Sequence, residues 1–169
     1  MGNLESIYGG KKVLITGHTG FKGSWLSMWL VKLGAEVIGI SDQIPTTPSN
    51  YEASNISDKI HDYRIDIMDF EAVNQVVSTH NPDFIFHLAA QSLVYPAYED
   101  PVKTLMVNSV GTINVLESIR LSKKPVIAIM ITSDKAYDNV EWVWGYKESD
   151  RLGGKDPYSA SKGMAELAI

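Results

Sequence analysis

The chain has 169 residues, no cysteine, 15 Lys and Arg against 20 Asp and Glu, and a net charge of −5. That length is enough for one domain with a real core, while the acidic balance and the lack of any basic run argue against nucleic acid as a partner. Without cysteine neither disulfides nor thiolate zinc sites exist, which fits a cytoplasmic protein; no stretch reads as a signal peptide or a membrane span.

Residues 1–11 read as a polar lead-in. A buried strand follows at about 12–16, and with it the stretch that organises the chain, Val13-Leu14-Ile15-Thr16-Gly17-His18-Thr19-Gly20-Phe21-Lys22-Gly23. Its glycines have the spacing G-x-x-G-x-x-G between an apolar run and a helical pattern. That is the context in which such a motif cradles a pyrophosphate. Gly17 permits the tight turn, Gly20 lets phosphate approach the backbone, and Gly23 lets the helix lie close on the sheet. The N–H groups and positive dipole end of that helix face the anion. The helix is expected from Phe21 to Leu33, with Gly34 as its stop. Its apolar residues, Trp25, Leu26, Met28, Trp29, Leu30 and Leu33, are nearly continuous, which predicts burial of both tryptophans.

Val37–Ser41 reads as the second strand of a β-α-β unit. An acid about 20 residues past the glycines holds the adenine ribose in such folds. Asp42 stands there, although the strand could end so that Ser41 takes that place. No arginine stands beside it to hold a 2′-phosphate, so NAD is favoured over NADP. Residues 43–58 read as a surface loop, and Arg64-Ile65-Asp66-Ile67 as a short strand. Asp69 caps a helix over about 70–80, and Pro82 breaks it. Phe84–Ala90 is the next buried strand; the small Ala89 and Ala90 at its carboxyl end either admit a cofactor or merely pack. One long helix is expected from Asp100 to Leu121, with Pro101 in its first turn. Asn108 within it is expected to satisfy buried backbone groups. Val126–Ile131 is an apolar strand followed by Thr132-Ser133-Asp134-Lys135. An irregular segment, 138–155, carries Trp142 and Trp144, and Asp156-Pro157 opens a final helix. Strands and helices alternate, which predicts an α/β fold with a Rossmann-type, doubly wound parallel sheet.

In the last helix Tyr158 and Lys162 lie four apart and share a face. Free tyrosine is a poor base at neutral pH, and a neighbouring ammonium favours its phenolate. Such a pair suits removal of a hydroxyl proton while a nicotinamide takes the hydride. The four histidines, His18, His61, His80 and His87, show no metal-ligand spacing, and no metal is expected.

Together these residues resemble the extended short-chain dehydrogenase/reductase family. The match rests on Thr16–Gly23, His87-Leu88-Ala89-Ala90, Asn108 with Gly111-Thr112, Ser133, and Tyr158-Ser159-Ala160-Ser161-Lys162. Gly17–Leu26, Asp134-Lys135 and Glu141-Trp142-Val143-Trp144-Gly145-Tyr146 are most similar to the branch that dehydrates CDP-glucose. The resemblance implies an NAD-dependent lyase acting on a nucleotide sugar in the cytoplasm, within bacterial surface-polysaccharide (lipopolysaccharide) deoxysugar synthesis. It implies cofactor contacts from Gly17, Thr19, Gly20, Phe21, Lys22, Gly23, Asp42, Asp66, Ile67, Leu88, Ala89, Ala90, Asn108, Tyr158 and Lys162. It implies a catalytic set of Ser133, Asp134, Lys135, Tyr158 and Lys162. Residues 1–169 would then be an NAD-binding Rossmann domain about half the family's length, truncated before the C-terminal substrate domain. A homodimer, or a larger homo-oligomer, is also implied, the dimer forming through the helices near 100–121 and from 157 onward. Lys135 as a base and Asp134 as an acid would need an apolar site, for which the tryptophan segment is the expected cover. A C4 epimerase or oxidoreductase, or a non-catalytic NAD-binding fragment, fits the same glycine turn.

Overall fold

The computed structural model describes residues 2–169, with side chains described from Leu4 onward. The elements run α1 (Gly2–Tyr8), β1 (Lys12–Thr16), α2 (Phe21–Lys32), β2 (Glu36–Ser41), α3 (Asn50–Ala53), a 3-10 turn (Ile56–Lys59), β3 (His61–Arg64), α4 (Phe70–His80), β4 (Phe84–His87), α5 (Val94–Glu99), α6 (Pro101–Leu105), a π turn (Met106–Val110), α7 (Gly111–Arg120), β5 (Ile127–Met130), a second 3-10 turn (Asp134–Ala136) and α8 (Pro157–Ala168). They form two units. The first ends at Ala89 and resumes over Asn114–Ile131; the second comprises Ala90–Ile113 and Thr132–Ile169.

The first unit holds the whole sheet. Its order is β3-β2-β1-β4-β5 and every pairing is parallel, the Rossmann arrangement that the alternating pattern predicts. Successive strand residues face opposite sides, so full burial of Val13, Leu14 and Ile15 means that β1 is covered on both faces. The edge is different: Ile127 of β5 is 58% exposed. Cap chemistry set α4, because the Asp69 carboxylate accepts from the Ala72 N–H at 3.1 Å. Its buried face is Val73, Val76 and Val77.

Several expectations need correction here. The lead-in is a helix, α1, whose Tyr8 ring lies 5.0 Å from Phe84 and 6.4 Å from Phe86. Tertiary packing supplies what seven residues alone could not. Trp25 and Trp29 are not core: they are 56% and 50% exposed. The face of α2 that packs is Gly23, Ser24, Ser27 and Leu30, mostly small residues that allow close approach. The loop 43–58 contains α3 and a 3-10 turn, and buries Tyr51 and Ile56. The third strand lies at His61–Arg64, ahead of the apolar Ile65 and Ile67, because an edge strand need not be apolar. β4 ends at His87, and Leu88, whose N–H still donates to the Thr16 carbonyl at 3.1 Å, lies with Ala89 and Ala90 beyond the strand.

In the second unit, α5 was not anticipated, and the long helix is interrupted by the π turn at Asn108. α8 packs against α5, α6 and that π turn. Asp156 caps α8 as predicted: its carboxylate accepts from the Ser159 N–H at 2.9 Å, and Pro157 occupies the first turn.

Candidate functional site

In the first unit, β1 runs straight into the glycine turn. Gly17 has φ +75°, the left-handed region that side chains avoid. Its N–H donates to the Ile40 carbonyl of β2 at 2.7 Å. A Cβ on Gly17 would meet the Ala89 nitrogen at 2.8 Å, and one on Gly23 would meet the Gly17 carbonyl oxygen at 2.1 Å. Gly23 is therefore demanded by the backbone of the turn itself. Gly20 is the N-cap of α2 and provides no side-chain cap. The N–H groups of Phe21, Lys22 and Gly23 are those a helix leaves without an intrahelical acceptor. An open glycine at an uncapped helix start fits a dinucleotide pyrophosphate.

The surroundings are held by short polar contacts. The Thr19 hydroxyl lies 3.0 Å from Ser41 Oγ and 2.6 Å from the Gln43 carbonyl. Thr16 Oγ1 accepts from the Leu88 and Ala89 N–H groups at 3.2 and 3.1 Å, which folds that turn against Gly17. Asp42 is exposed, and its carboxylate accepts from the Gln43 N–H at 2.8 Å. Asp66 accepts from the Met68 N–H at 2.9 Å, and Ile67 beside it is buried.

One network here was not foreseen. His18, fully buried within the turn, reaches Asp62 of β3 through Nε2 at 2.8 Å. Gly39 makes the space, since a Cβ there would lie 2.4 Å from the ring. The other Asp62 oxygen accepts from the Tyr51 hydroxyl at 2.6 Å and from Arg64 at 3.0 Å. Burial pushes the His18 pKa down, against the pull of Asp62. Burial works against the Asp62 charge too, but Tyr51, His18 and Arg64 outweigh it and its pKa falls. Burial and Asp62 push Tyr51 up to about 12, so it remains a donor at neutral pH. The signal available in sequence was weak: a histidine between two of the glycines and a glycine inside β2.

In the second unit, Ser133 opens the 3-10 turn that carries Asp134 and Lys135. Its Oγ accepts from the Lys135 N–H at 3.2 Å and donates to Asp134 Oδ1 at 3.1 Å. Asp134 and Lys135 are exposed and line a cavity of about 570 Å³ with Tyr137, Tyr146, Asp156 and Ser159. Trp142 and Trp144, the expected cover, are not among its lining residues; they pack on each other, and Trp142 on Tyr146. Burial opposes the Asp156 charge, but hydrogen bonds from Ser159 and Tyr158 and the charge of Lys135 lower its pKa.

Tyr158 and Lys162 both lie on α8, four residues apart as read from the sequence. Lys162 is only 7% exposed; burial lowers its pKa, and Glu166 pulls the other way. Asn108 is buried and engaged on both sides of its amide. Oδ1 accepts from the Gln91 N–H at 2.8 Å, while Nδ2 donates to the Gln91 carbonyl at 2.9 Å and to Ser161 Oγ at 2.8 Å. It thus satisfies backbone groups, as expected, and ties the turn after Ala90 to α8.

Residues 14–169 match the profile of the GDP-mannose 4,6-dehydratase family. The chain belongs to that family. Its members are NAD-dependent nucleotide-sugar epimerases and dehydratases of the extended short-chain dehydrogenase/reductase group. A CDP-glucose 4,6-dehydratase from Salmonella typhimurium is 47% identical over 163 residues, covering 96% of this chain and 45% of the relative. A UDP-glucose 4-epimerase from Mycolicibacterium smegmatis is 30% identical over 94% of this chain and 50% of its own length. Among solved structures of the family, the Thermus thermophilus UDP-glucose 4-epimerase in complex with NAD superposes with a TM-score of 0.79 at 30% identity, over 92% of this chain and 49% of that one. The chain spans about half the length of the relatives it matches. Among the described residues no helix is long and apolar enough to cross a membrane.

Proposed function

We propose that this chain forms the NAD-binding half of a nucleotide-sugar 4,6-dehydratase whose substrate is CDP-glucose and whose products are CDP-4-dehydro-6-deoxyglucose and water. The observation that carries the reading is the margin in identity, 47% with the Salmonella CDP-glucose 4,6-dehydratase against 30% with the Mycolicibacterium epimerase. The Asp134-Lys135 pair supports it, because an elimination needs both an acid and a base.

Each residue has its own part in that reaction. The N–H groups at Phe21, Lys22 and Gly23 take the pyrophosphate, and Gly17 and Gly20 let it approach. Asp42, with Thr19 bracing the turn, takes the adenine ribose, and Asp66 and Ile67 take the adenine. Leu88, Ala89 and Ala90 let the cofactor approach the backbone, Asn108 holds the turn after them, and Lys162 holds the second ribose. When bound, NAD supplies the acceptor for hydride from C4 and its return at C6. Tyr158 takes the proton of the 4-hydroxyl, and the Ser133 hydroxyl donates to the developing carbonyl. The ketone acidifies the C5 proton, which neutral Lys135 removes and gives back to C5 after the 6-hydroxyl has left, and protonated Asp134 gives its proton to the departing 6-hydroxyl. Both residues are exposed, so the bound sugar must displace the water around them for this protonation pattern to hold.

A C4 epimerase is the second reading, favoured by the likeness to the Thermus enzyme. Mass spectrometry of CDP-glucose, dTDP-glucose and GDP-mannose after incubation with the chain and NAD separates the two. Loss of one water from CDP-glucose alone is the expected result. Epimerised CDP-glucose with no loss of water would overturn the dehydratase reading. Binding of NAD with no conversion of any sugar would favour the fragment.

A further inference from the structure

The fold brings together two of the histidines that sequence spacing leaves apart. In the parallel pairing of β2 and β3, Ile38 stands beside His61. Glu36, two residues before Ile38, therefore shows its side chain on the same sheet face as His61, at the amino ends of both strands. α4 ends at His80 against the same place. One nitrogen or oxygen from each of Glu36, His61 and His80 lies within 4.8 Å of the others. His61 Nε2 is 3.4 Å from Glu36 Oε1, which matches the edge of a tetrahedron with metal bonds of ~2.1 Å. The two imidazole rings are 5.0 Å apart between centroids. The Tyr63 hydroxyl bonds His80 Nε2 at 2.8 Å and fixes the ring, so a metal would take Nδ1 of His80.

We propose that Glu36, His61 and His80 form a binding site for a divalent transition metal of the Zn²⁺ class. Two imidazoles and one carboxylate suit Zn²⁺ and its neighbours and disfavour Mg²⁺ and Ca²⁺. Glu36 and His61 are 42% and 52% exposed, so a fourth position is open to water. The competitor is Lys12, whose Nζ is 3.8 Å from Glu36 Oε1, an exposed pair that binds weakly. The site lies at the amino ends of the strands, whereas the glycine turn follows the carboxyl end of β1, so this inference does not rest on the cofactor reading. A bound ion would link β2, β3 and the end of α4, and would raise the thermal midpoint of unfolding.

Titration calorimetry of the intact chain with ZnCl₂, with the visible absorption of bound Co²⁺ as a second readout, tests the proposal. One equivalent of Zn²⁺ should bind. His61→Ala and His80→Ala should each lower affinity at least ~10-fold and remove the Co²⁺ spectrum, and Tyr63→Phe should lower affinity less. Lys12→Gln should tighten binding. Circular dichroism of each variant confirms that it is folded. Zn²⁺ binding undiminished in the folded His61→Ala, His80→Ala double variant would overturn the site, as would no binding by the parent chain.

Discussion

The glycine turn and the Ser133–Lys135 turn each follow a parallel strand in the chain, β1 and β5, yet they are held in opposite ways. Around Gly17 and Gly23 the neighbours are backbone atoms, and a single added carbon would lie 2.1–2.8 Å from them. Around Asp134 and Lys135 there is an open cavity, and the contacts are a serine hydroxyl and its own turn. One region tolerates no added volume at its glycines, and the side chains around them, Thr19 and His18, brace the turn. The other has ample room and depends on which acid and which amine stand there. A binding cradle is thus specified by what is missing from its glycines, and a reacting group by what is present.

Asp134→Asn should give the largest effect. It keeps the shape of the turn and removes the acid, so turnover of CDP-glucose should fall about 10²–10⁴-fold with NAD affinity unchanged, measured by product mass and by calorimetry. Retained turnover would break the contrast and favour the epimerase. Gly23→Ala is the mirror test: it should destabilise the fold by about 1–3 kcal/mol by overpacking and abolish NAD binding, read by urea unfolding and calorimetry. Asp156→Ala removes the cap of α8 and should cost about 1 kcal/mol, by the same unfolding measurement. Lys162→Met sharpens the contrast through pH. Burial lowers the Lys162 pKa in the folded chain, so the unfolded chain holds more protons between that value and the ordinary lysine range. Stability should rise with pH across that window, and the rise should vanish in Lys162→Met when urea midpoints are compared. Trp25→Gln should change stability least, within about 0.5 kcal/mol, because the side chain is half exposed.

The same contrast explains what could be read from the sequence. β1, the start of α2, α4 with Asp69 and α8 with Asp156 were legible because glycines and capping carboxylates act locally, within a turn or two. α1 was not, since Tyr8 needs Phe84 and Phe86 from a distant strand. The exposure of Trp25 and Trp29 is not legible in the sequence, because apolar character does not set inward direction; Gly23, Ser24, Ser27 and Leu30 do the packing. Among the candidate site residues, the Tyr158–Lys162 spacing and the Ser133–Lys135 run are contiguous in the chain and so visible. The His18–Asp62 and His61–His80 partnerships depend on strand pairing and helix placement, which no local pattern encodes.

The π turn at Met106–Val110 makes helical length a setting for Asn108. A π turn holds one residue more than an α-helical turn of the same span. Deleting one residue there would restore ordinary α geometry, with no break in the helix and with the residues after the turn kept in phase, because the lost residue is the one the wider turn absorbs. Thr104 would still meet the Gln91 side chain, which now bonds it at 3.1 Å, but Asn108 would turn away from the Gln91 backbone and from Ser161. Within this unit the residue count is as constrained as residue identity, so a one-residue deletion would be silent for helicity and costly for the turn after Ala90.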